Sequence, residues 1–299
     1  MKILVTGALG QLGSHIRLNT AGSRHRYFFT DVKADSGDVS IPVEELDICR
    51  RDAVMNFVLR NDINVVINCA AYTNVDRAEE DEETAERVNA TAVRYLADAM
   101  KVSGGKLIHI STDYVFGGGG YNRPIREEEG INPTGAYGRT KLKGEMAIAE
   151  VGCRAIVLRT AWMYSEYGNN FVKTMLRLFG ERDEVKVVFD QVGTPTYAGD
   201  LAKLICAIVE DEGKSNAEGV YHFTDEGVCS WYDFACEIAR QGNQSGCKIV
   251  PCHSNEFPSK VVRPWYSVLD KSKVKETFGI EIPHWTEPLA KCVNALMCQ

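Results

Sequence analysis

The ten cysteines of this 299-residue chain include no C-x-x-C pair, so the spacing of a zinc ribbon or a dithiol redox centre is missing. They stand scattered at 49, 69, 153, 206, 229, 236, 247, 252, 292 and 298, and no disulfide framework is legible in them. Cys69 and Cys206 lie in apolar runs, where a thiol behaves as a small hydrophobe. A secretory hydrophobic region is also missing, as is any apolar run of the roughly 20 residues needed to cross a bilayer. Positive charge is not in excess: the net charge is −7, which argues against nucleic-acid binding through bulk charge. No internal repeat is visible. The expectation is a cytoplasmic protein, kept reduced, with neither a membrane nor a nucleic acid as partner. Its 44% hydrophobic and 25% charged residues suit a soluble globular chain, long enough for one large or two modest domains.

What is present begins at once. Lys2-Ile3-Leu4-Val5-Thr6 reads as a strand buried on both faces. Gly7-Ala8-Leu9-Gly10-Gln11-Leu12-Gly13 follows, then a helical segment from Ser14. Glycines at 7, 10 and 13 permit a tight turn, close approach of a pyrophosphate and close packing of the helix on the sheet. The phosphates would meet the free N–H groups and positive dipole end at the helix N-terminus. The spacing is G-x-x-G-x-x-G, not G-x-G-x-x-G, so its context matters. That context is complete: a strand before, a helix after, and Asp31 ending the strand Arg26–Thr30, where an acidic residue hydrogen-bonds an adenosine ribose. Lys33 and Arg24 could offer charge to a 2′-phosphate, so NADPH and NADH both stay open.

Asp47-Ile48, a helix over 51–61 and a buried strand at 64–68 come next, then Cys69-Ala70-Ala71-Tyr72. Two alanines at a strand end suit either close approach of a cofactor or tight packing. A helix over 82–100 carries Asn89 among apolar residues, either as a buried anchor or as a surface residue. The strand Lys106–Ile110 leads into Ser111-Thr112-Asp113-Tyr114-Val115-Phe116, and Thr112 sits where open α/β sheets bind ligands. His109, inside that strand, reads as structural. Gly117–Gly120 and Glu127–Glu129 read as a mobile, solvated loop, a lid or linker in preference to a metal site. In Tyr137-Gly138-Arg139-Thr140-Lys141 the tyrosine and lysine share one helix face. An ammonium beside a phenol lowers the phenol's pKa, so the pair can move a proton to or from a carbonyl oxygen. One more strand, Arg154–Arg159, precedes aromatic and polar residues from Trp162 to Phe171 that suit a substrate grip. Residues 185–190 and a helix over 200–210 read as a return to the sheet, and from Trp231 onward two short helices with loops form a closing lobe.

The alternation predicts an α/β fold, a Rossmann-like doubly wound parallel sheet with a smaller C-terminal α/β substrate lobe. Residues 1–160 form the dinucleotide-binding domain, with 185–228 partly returning to it; 161–184 and 229–299 form the lobe.

Gly7/Gly10/Gly13, Ser111–Phe116 and Tyr137-x-x-x-Lys141 together resemble the extended short-chain dehydrogenase/reductases. Within them, Asn68–Asp76, Arg159–Tyr164, Asp190–Thr196 and Arg263-Pro264-x-x-Ser267-Val268-Leu269-Asp270 are similar to the dTDP-4-dehydrorhamnose reductase family, across essentially the whole chain. The resemblance implies reduction at C4 of dTDP-6-deoxy-L-lyxo-4-hexulose to dTDP-L-rhamnose. Hydride would come from a nicotinamide over Ile110 and Ser111. Tyr137 would protonate the alkoxide, Lys141 would hold the ribose and lower the Tyr137 pKa, and Thr112 would hydrogen-bond the carbonyl oxygen. Gly10, Gln11, Leu12, Asp31, Asp47, Ile48, Ala70, Ala71 and Tyr72 would contact the cofactor, with Asn89 the superfamily's buried asparagine. Thr112, Asp113 and Trp162 would contact the sugar, and Arg263 the nucleotide sugar. Two departures stand out. His15 occupies the place of a glutamate that bridges magnesium in some dimeric members, so no metal is expected, and the chain is expected as monomer or homodimer. Tyr266 precedes Ser267 where the family motif is R-P-x-N-S. Competing readings are a 4,6-dehydratase, a 4-epimerase or another ketosugar reductase. A dehydratase of this class often has Asp-Glu after the threonine, where Asp113-Tyr114 stands. A non-enzymatic regulatory subunit, resembling the β subunit of methionine adenosyltransferase, would not need the intact Thr112, Tyr137 and Lys141.

Overall fold

A computed structural model describes residues 1–35, 41–211, 213–256 and 261–298. Seven parallel strands form the central sheet. In chain order they are β1 (Lys2–Thr6), β2 (Arg26–Asp31), β3 (Val43–Glu45), β4 (Val65–Asn68), β5 (Lys106–Thr112), β6 (Arg154–Thr160) and the strand Gly219–His222. Their spatial order is 219–222, β6, β5, β4, β1, β2, β3. The order reverses at β1, which pairs with both β2 and β4, so the crevice beyond the β1 and β4 carboxyl ends is where this topology binds ligands.

Each strand is apolar on both sides because helices cover both faces. On one face Ile3, Val5 and Ile67 pack on Leu12 and Ile16 of helix α1 (Gln11–Asn19) and on Leu201 and Ile205 of the helix Ala198–Glu210. On the other, Leu4, Val66 and Leu107 pack on Val54 and Val58 of α2 (Arg51–Arg60), on Leu96, and on Ile148 of the helix Ala136–Val151. The expected helix over 82–100 is not one α-helix. Glu82–Glu86 runs into a π turn, Arg87–Thr91, before Ala92–Ser103 resumes. A π turn inserts one residue into the ladder and so re-aims the side chains it carries, here Asn89. At Gly144 of the tyrosine helix, a Cβ would run into the Asn89 carbonyl oxygen. Glycine there allows the two elements to meet.

The smaller lobe has its own core, with Tyr164, Val172, Phe234, Ile238 and Leu289 fully or almost fully buried. Glu184–Val188 does not return to the central sheet as expected; it pairs with Lys248–Cys252 in a separate two-stranded sheet. The helix Ala198–Glu210 and the strand 219–222 do return. From Trp231 on the described residues form three α-helices (Trp231–Gln241, Ser272–Phe278, Thr286–Met297), a 3-10 turn (Ser254–Glu256) and the strand Lys248–Cys252, more structure than two short helices. The 117–129 loop is pinned and not solvated throughout: Ile125 is buried, and the Glu127 carboxylate accepts from the His222 backbone N–H at 2.9 Å. All ten cysteines are free thiols, and no helix among the described residues is long and apolar enough to cross a membrane.

Asp225, beyond the strand 219–222, makes the fold pH-sensitive. Fully buried, it accepts from the Tyr197 N–H at 2.9 Å, and burial pushes its carboxyl from 3.8 up to about 8. A carboxyl with a raised folded pKa adds stability that is fully present below the unfolded value and lost as pH rises through the folded one. Between 3.8 and about 8 this residue therefore erodes stability, by up to about 1.4 kcal/mol per pH unit. Asp225→Asn should flatten that decline relative to the parent, measured by urea unfolding between pH 6.5 and 8; parallel stability profiles would contradict it.

Candidate active site

The glycine loop closes the bottom of the crevice. Gly7 has φ of +67°, and a Cβ there would meet the Ala70 N at 2.6 Å. A Cβ at Gly13 would collide with the Gly7 carbonyl oxygen. These two glycines bind the loop, α1 and the β4 end into one unit. Gly10 is different: a Cβ would meet only the Gly7 oxygen, at 3.3 Å. The fold's demand for a glycine at position 10 is weaker than at 7 and 13, and a phosphate approaching the N-terminus of α1 would add to it. Gly10 is the N-cap of α1 and offers no side-chain cap, so the first-turn N–H groups, those of Gln11 and Leu12 included, are left for a ligand. Asp31, at the β2 end, accepts from the Leu9 N–H at 3.0 Å and the Val32 N–H at 2.8 Å, which holds its carboxylate against this loop. The residues present fit a dinucleotide.

Other expected cofactor positions also make contacts within the fold. The Gln11 side chain accepts from Ser165 at 3.2 Å and Asn170 at 3.1 Å, tying α1 to the smaller lobe. Leu12 and Ile48 are buried in the core, so only their backbone can face a ligand. Asp47 caps the Cys49 N–H at 2.9 Å. Asn89 is buried, and its amide bonds both the N–H (2.9 Å) and C=O (3.0 Å) of Tyr72 as well as Thr140 (3.2 Å). Its part is to shape Ala70-Ala71-Tyr72. Ser111 donates to the Glu145 carboxylate at 2.5 Å, turning away from the crevice.

Tyr137 and Lys141 project from the helix Ala136–Val151, which docks through Gly138 and Gly144. The Tyr137 ring meets Tyr114 edge-on at 5.5 Å. Burial of its hydroxyl end pushes the phenol well above its usual range, Thr112 pulls it back by hydrogen bonding, and Asp113 and Tyr114 push it further up. The expected lowering by Lys141 is not what the fold does. The lysine ammonium is taken by the Ile110 carbonyl at 2.5 Å, with His109 Nε2 at 3.5 Å, and burial lowers its pKa to about 8. A phenol raised in this way keeps its proton at neutral pH, the form a proton donor needs. Thr112, at the β5 end, donates to Asp113 Oδ1 at 3.0 Å and accepts from the Tyr114 N–H at 3.2 Å. Asp113 is itself buried, which pushes its carboxyl up to about 6 against the pull of Ser267 and Thr112.

Trp162 has φ of +48°, a conformation few side chains adopt without support. Its indole stacks on Trp231 at 3.7 Å and 14°, and a Cβ at Gly193 would strike the ring at 2.7 Å. Trp231 and Gly193 were not among the expected site residues, though an aromatic after Cys229-Ser230 and the glycine of Asp190–Thr196 were there to be read. Arg263 spans Asp76 (2.7 Å) and the Tyr114 hydroxyl (3.3 Å). Sequence reasoning also missed the pair that ties the Tyr137 helix to β6: Glu145 and Arg159, both buried, bonded twice at 3.0 and 2.7 Å. His15, in place of the family's glutamate, is buried with Glu166 at 3.3 Å.

Comparison with known proteins agrees with this geometry. Residues 1–298 match the family described as RmlD substrate binding domain. The chain is 39% identical to the dTDP-4-dehydrorhamnose reductase of Aggregatibacter actinomycetemcomitans, over 96% of this chain and 97% of that protein. Among solved structures it is similar to a dTDP-4-dehydrorhamnose reductase from Clostridium acetobutylicum (42% identity, TM-score 0.89, 99% of each chain). It is also similar to one from Bacillus anthracis in complex with NADP (33% identity, TM-score 0.87, 98% of this chain and 99% of that one). Matched from its first strand to its last helix, the chain belongs to the RmlD substrate binding domain family.

Proposed function

We propose that this protein reduces the C4 ketone of dTDP-4-dehydro-6-deoxy-L-mannose to dTDP-L-rhamnose, using NADPH or NADH. The observation that carries the reading is the juxtaposition of the partly buried Tyr137 phenol with Thr112, at the strand ends beside the glycine crevice. Its relatives named dTDP-4-dehydrorhamnose reductase support the substrate. Residues 1–160, joined by parts of 185–228, would hold the cofactor, and 161–184 with 229–299 would grip the sugar nucleotide.

A reduced nicotinamide, when bound, supplies the hydride. The chain's part is to hold the ketone and deliver the proton. Thr112 hydrogen-bonds the ketone oxygen, and Tyr137 gives its proton to that oxygen as negative charge develops there. Lys141, anchored on the Ile110 carbonyl, would hold the cofactor ribose. The stacked Trp162 and Trp231 form an apolar wall for the deoxysugar, with Asp113 and Arg263 as polar partners at either side. Purified protein mixed with the 4-keto-6-deoxy-L-sugar nucleotide should consume NADPH or NADH stoichiometrically. Inactivity with this substrate, together with turnover of a different nucleotide sugar, would contradict the assignment.

A further inference from the structure

Thr6, Asn68 and His109 stand at one level of three neighbouring strands: Thr6 pairs with Asn68 across β1 and β4, and Asn68 with His109 across β4 and β5. All three are buried, His109 completely. Thr6 Oγ1 lies 2.7 Å from Asn68 Oδ1, Asn68 Nδ2 lies 3.1 Å from His109 Nδ1, and His109 Nε2 lies 3.5 Å from Lys141 Nζ. The first separation suits an O–H donating to an oxygen and is short for an amide N–H to a hydroxyl. The amide is accordingly assigned with its oxygen toward Thr6 and its nitrogen toward the ring. Nδ1 of His109 is therefore an acceptor. Burial and the charge of Lys141 hold the imidazole neutral, well below its usual range, so its single ring hydrogen sits on Nε2, facing the lysine.

A ring N–H against an ammonium sets donor against donor; the same N–H against an amine makes a hydrogen bond. We propose that His109 is a positioning residue for the reduction, held by Asn68 and Thr6 so that its Nε2–H favours the amine form of Lys141 and keeps that lysine able to give up its proton. The role follows from turnover: each reduction takes a proton from Tyr137, and a neighbour that releases its own readily can restore it. The Ile110 carbonyl accepts from Lys141 at 2.5 Å and can do so from either form, and the other groups acting here are few. On Lys141's own helix, Glu145 favours the ammonium, but its carboxylate is shared with Arg159 of β6 and Ser111 of β5. Asp113 and Tyr114, in the turn after β5, act on Tyr137. The π turn contributes the uncharged Asn89. His109 is the group from the sheet that opposes Glu145.

The inference rests on the reading of Lys141 as part of the reductase site, and its test is read on cofactor-free protein. In imidazole-15N-labelled protein, His109 should be the Nε2–H tautomer. His222, whose Nδ1 meets the Ile125 carbonyl at 3.1 Å, should show the opposite tautomer and serves as the internal reference. The NMR titration midpoint of Lys141 should rise by about one pH unit in His109→Leu, the loss of one hydrogen bond to the amine, and stay near the parent value in His109→Gln, whose amide can still donate. The basic limb of the pH–rate profile should move with it. An Nδ1–H tautomer at His109 in the parent protein, which needs no variant to fold, or a Lys141 midpoint unchanged or lowered in His109→Leu, would overturn the proposal. A parent protein inactive on the ketosugar would instead overturn the function while leaving the tautomer and midpoint results intact.

Discussion

Tyr137→Phe is expected to lower kcat by on the order of 10²–10⁴-fold while the dissociation constant for the nicotinamide cofactor changes little. The substitution removes one oxygen and keeps the ring, so the edge-on contact with Tyr114 at 5.5 Å survives and the helix keeps its place. What disappears is the proton donor. Thr112 cannot replace it: its aliphatic hydroxyl can hydrogen-bond the ketone oxygen but is a far weaker acid than a phenol. Because the phenol is pushed upward by burial, the parent should keep its proton-donating form across neutral pH. Steady-state rates beside cofactor titrations check this. A fall below tenfold would place the donor elsewhere, and a matching loss of cofactor affinity would make Tyr137 a binding residue.

The largest effect on stability should come from Arg159. Its guanidinium is 2% exposed and makes two bonds to Glu145, which is 8% exposed and also accepts from Ser111. It further lies over the Phe116 ring, 5.0 Å from the centroid. Removing one partner of such a pair strands the other charge, so Arg159→Met should cost about 3–5 kcal/mol. The double variant Arg159→Met/Glu145→Met should recover much of that loss, since replacing both charges with apolar groups is often close to neutral. Urea unfolding of the two variants measures it. Equal destabilisation of single and double variants would show that packing, not the stranded carboxylate, sets the cost.

How much of this was legible in the chain depends on how local each feature is. The glycine loop, the β1 and β5 runs and the Tyr137/Lys141 spacing are written in consecutive residues, and a parallel sheet follows from alternating strands and helices. What could not be read is the choice of partner. Nothing near Lys141 says that its ammonium will be taken by the Ile110 carbonyl and faced by His109, two residues from another element. Burial, not the lysine, then sets the Tyr137 phenol, and sets it upward. Residues 82–100 carry an unbroken helical pattern, and the π turn at 87–91 follows from docking against Gly144, some fifty residues away. Residues 184–188 look like any sheet strand, yet their partner, 248–252, lies far along the chain and off the central sheet. The one visible hint of the Glu145/Arg159 pair was an arginine closing the apolar run Ala155–Leu158, where a buried charge needs an opposite one.

The central claim is that hydride is added to C4 and a proton to the oxygen it carries. Turnover with nicotinamide deuterated on its transferable position tests it most directly, with NMR of the sugar product as the readout. The account predicts a single deuterium at C4 of a rhamnose-configured product and one equivalent of cofactor oxidised. Product without deuterium at C4, or formed with no net cofactor oxidation as in a dehydratase or an epimerase, would contradict it.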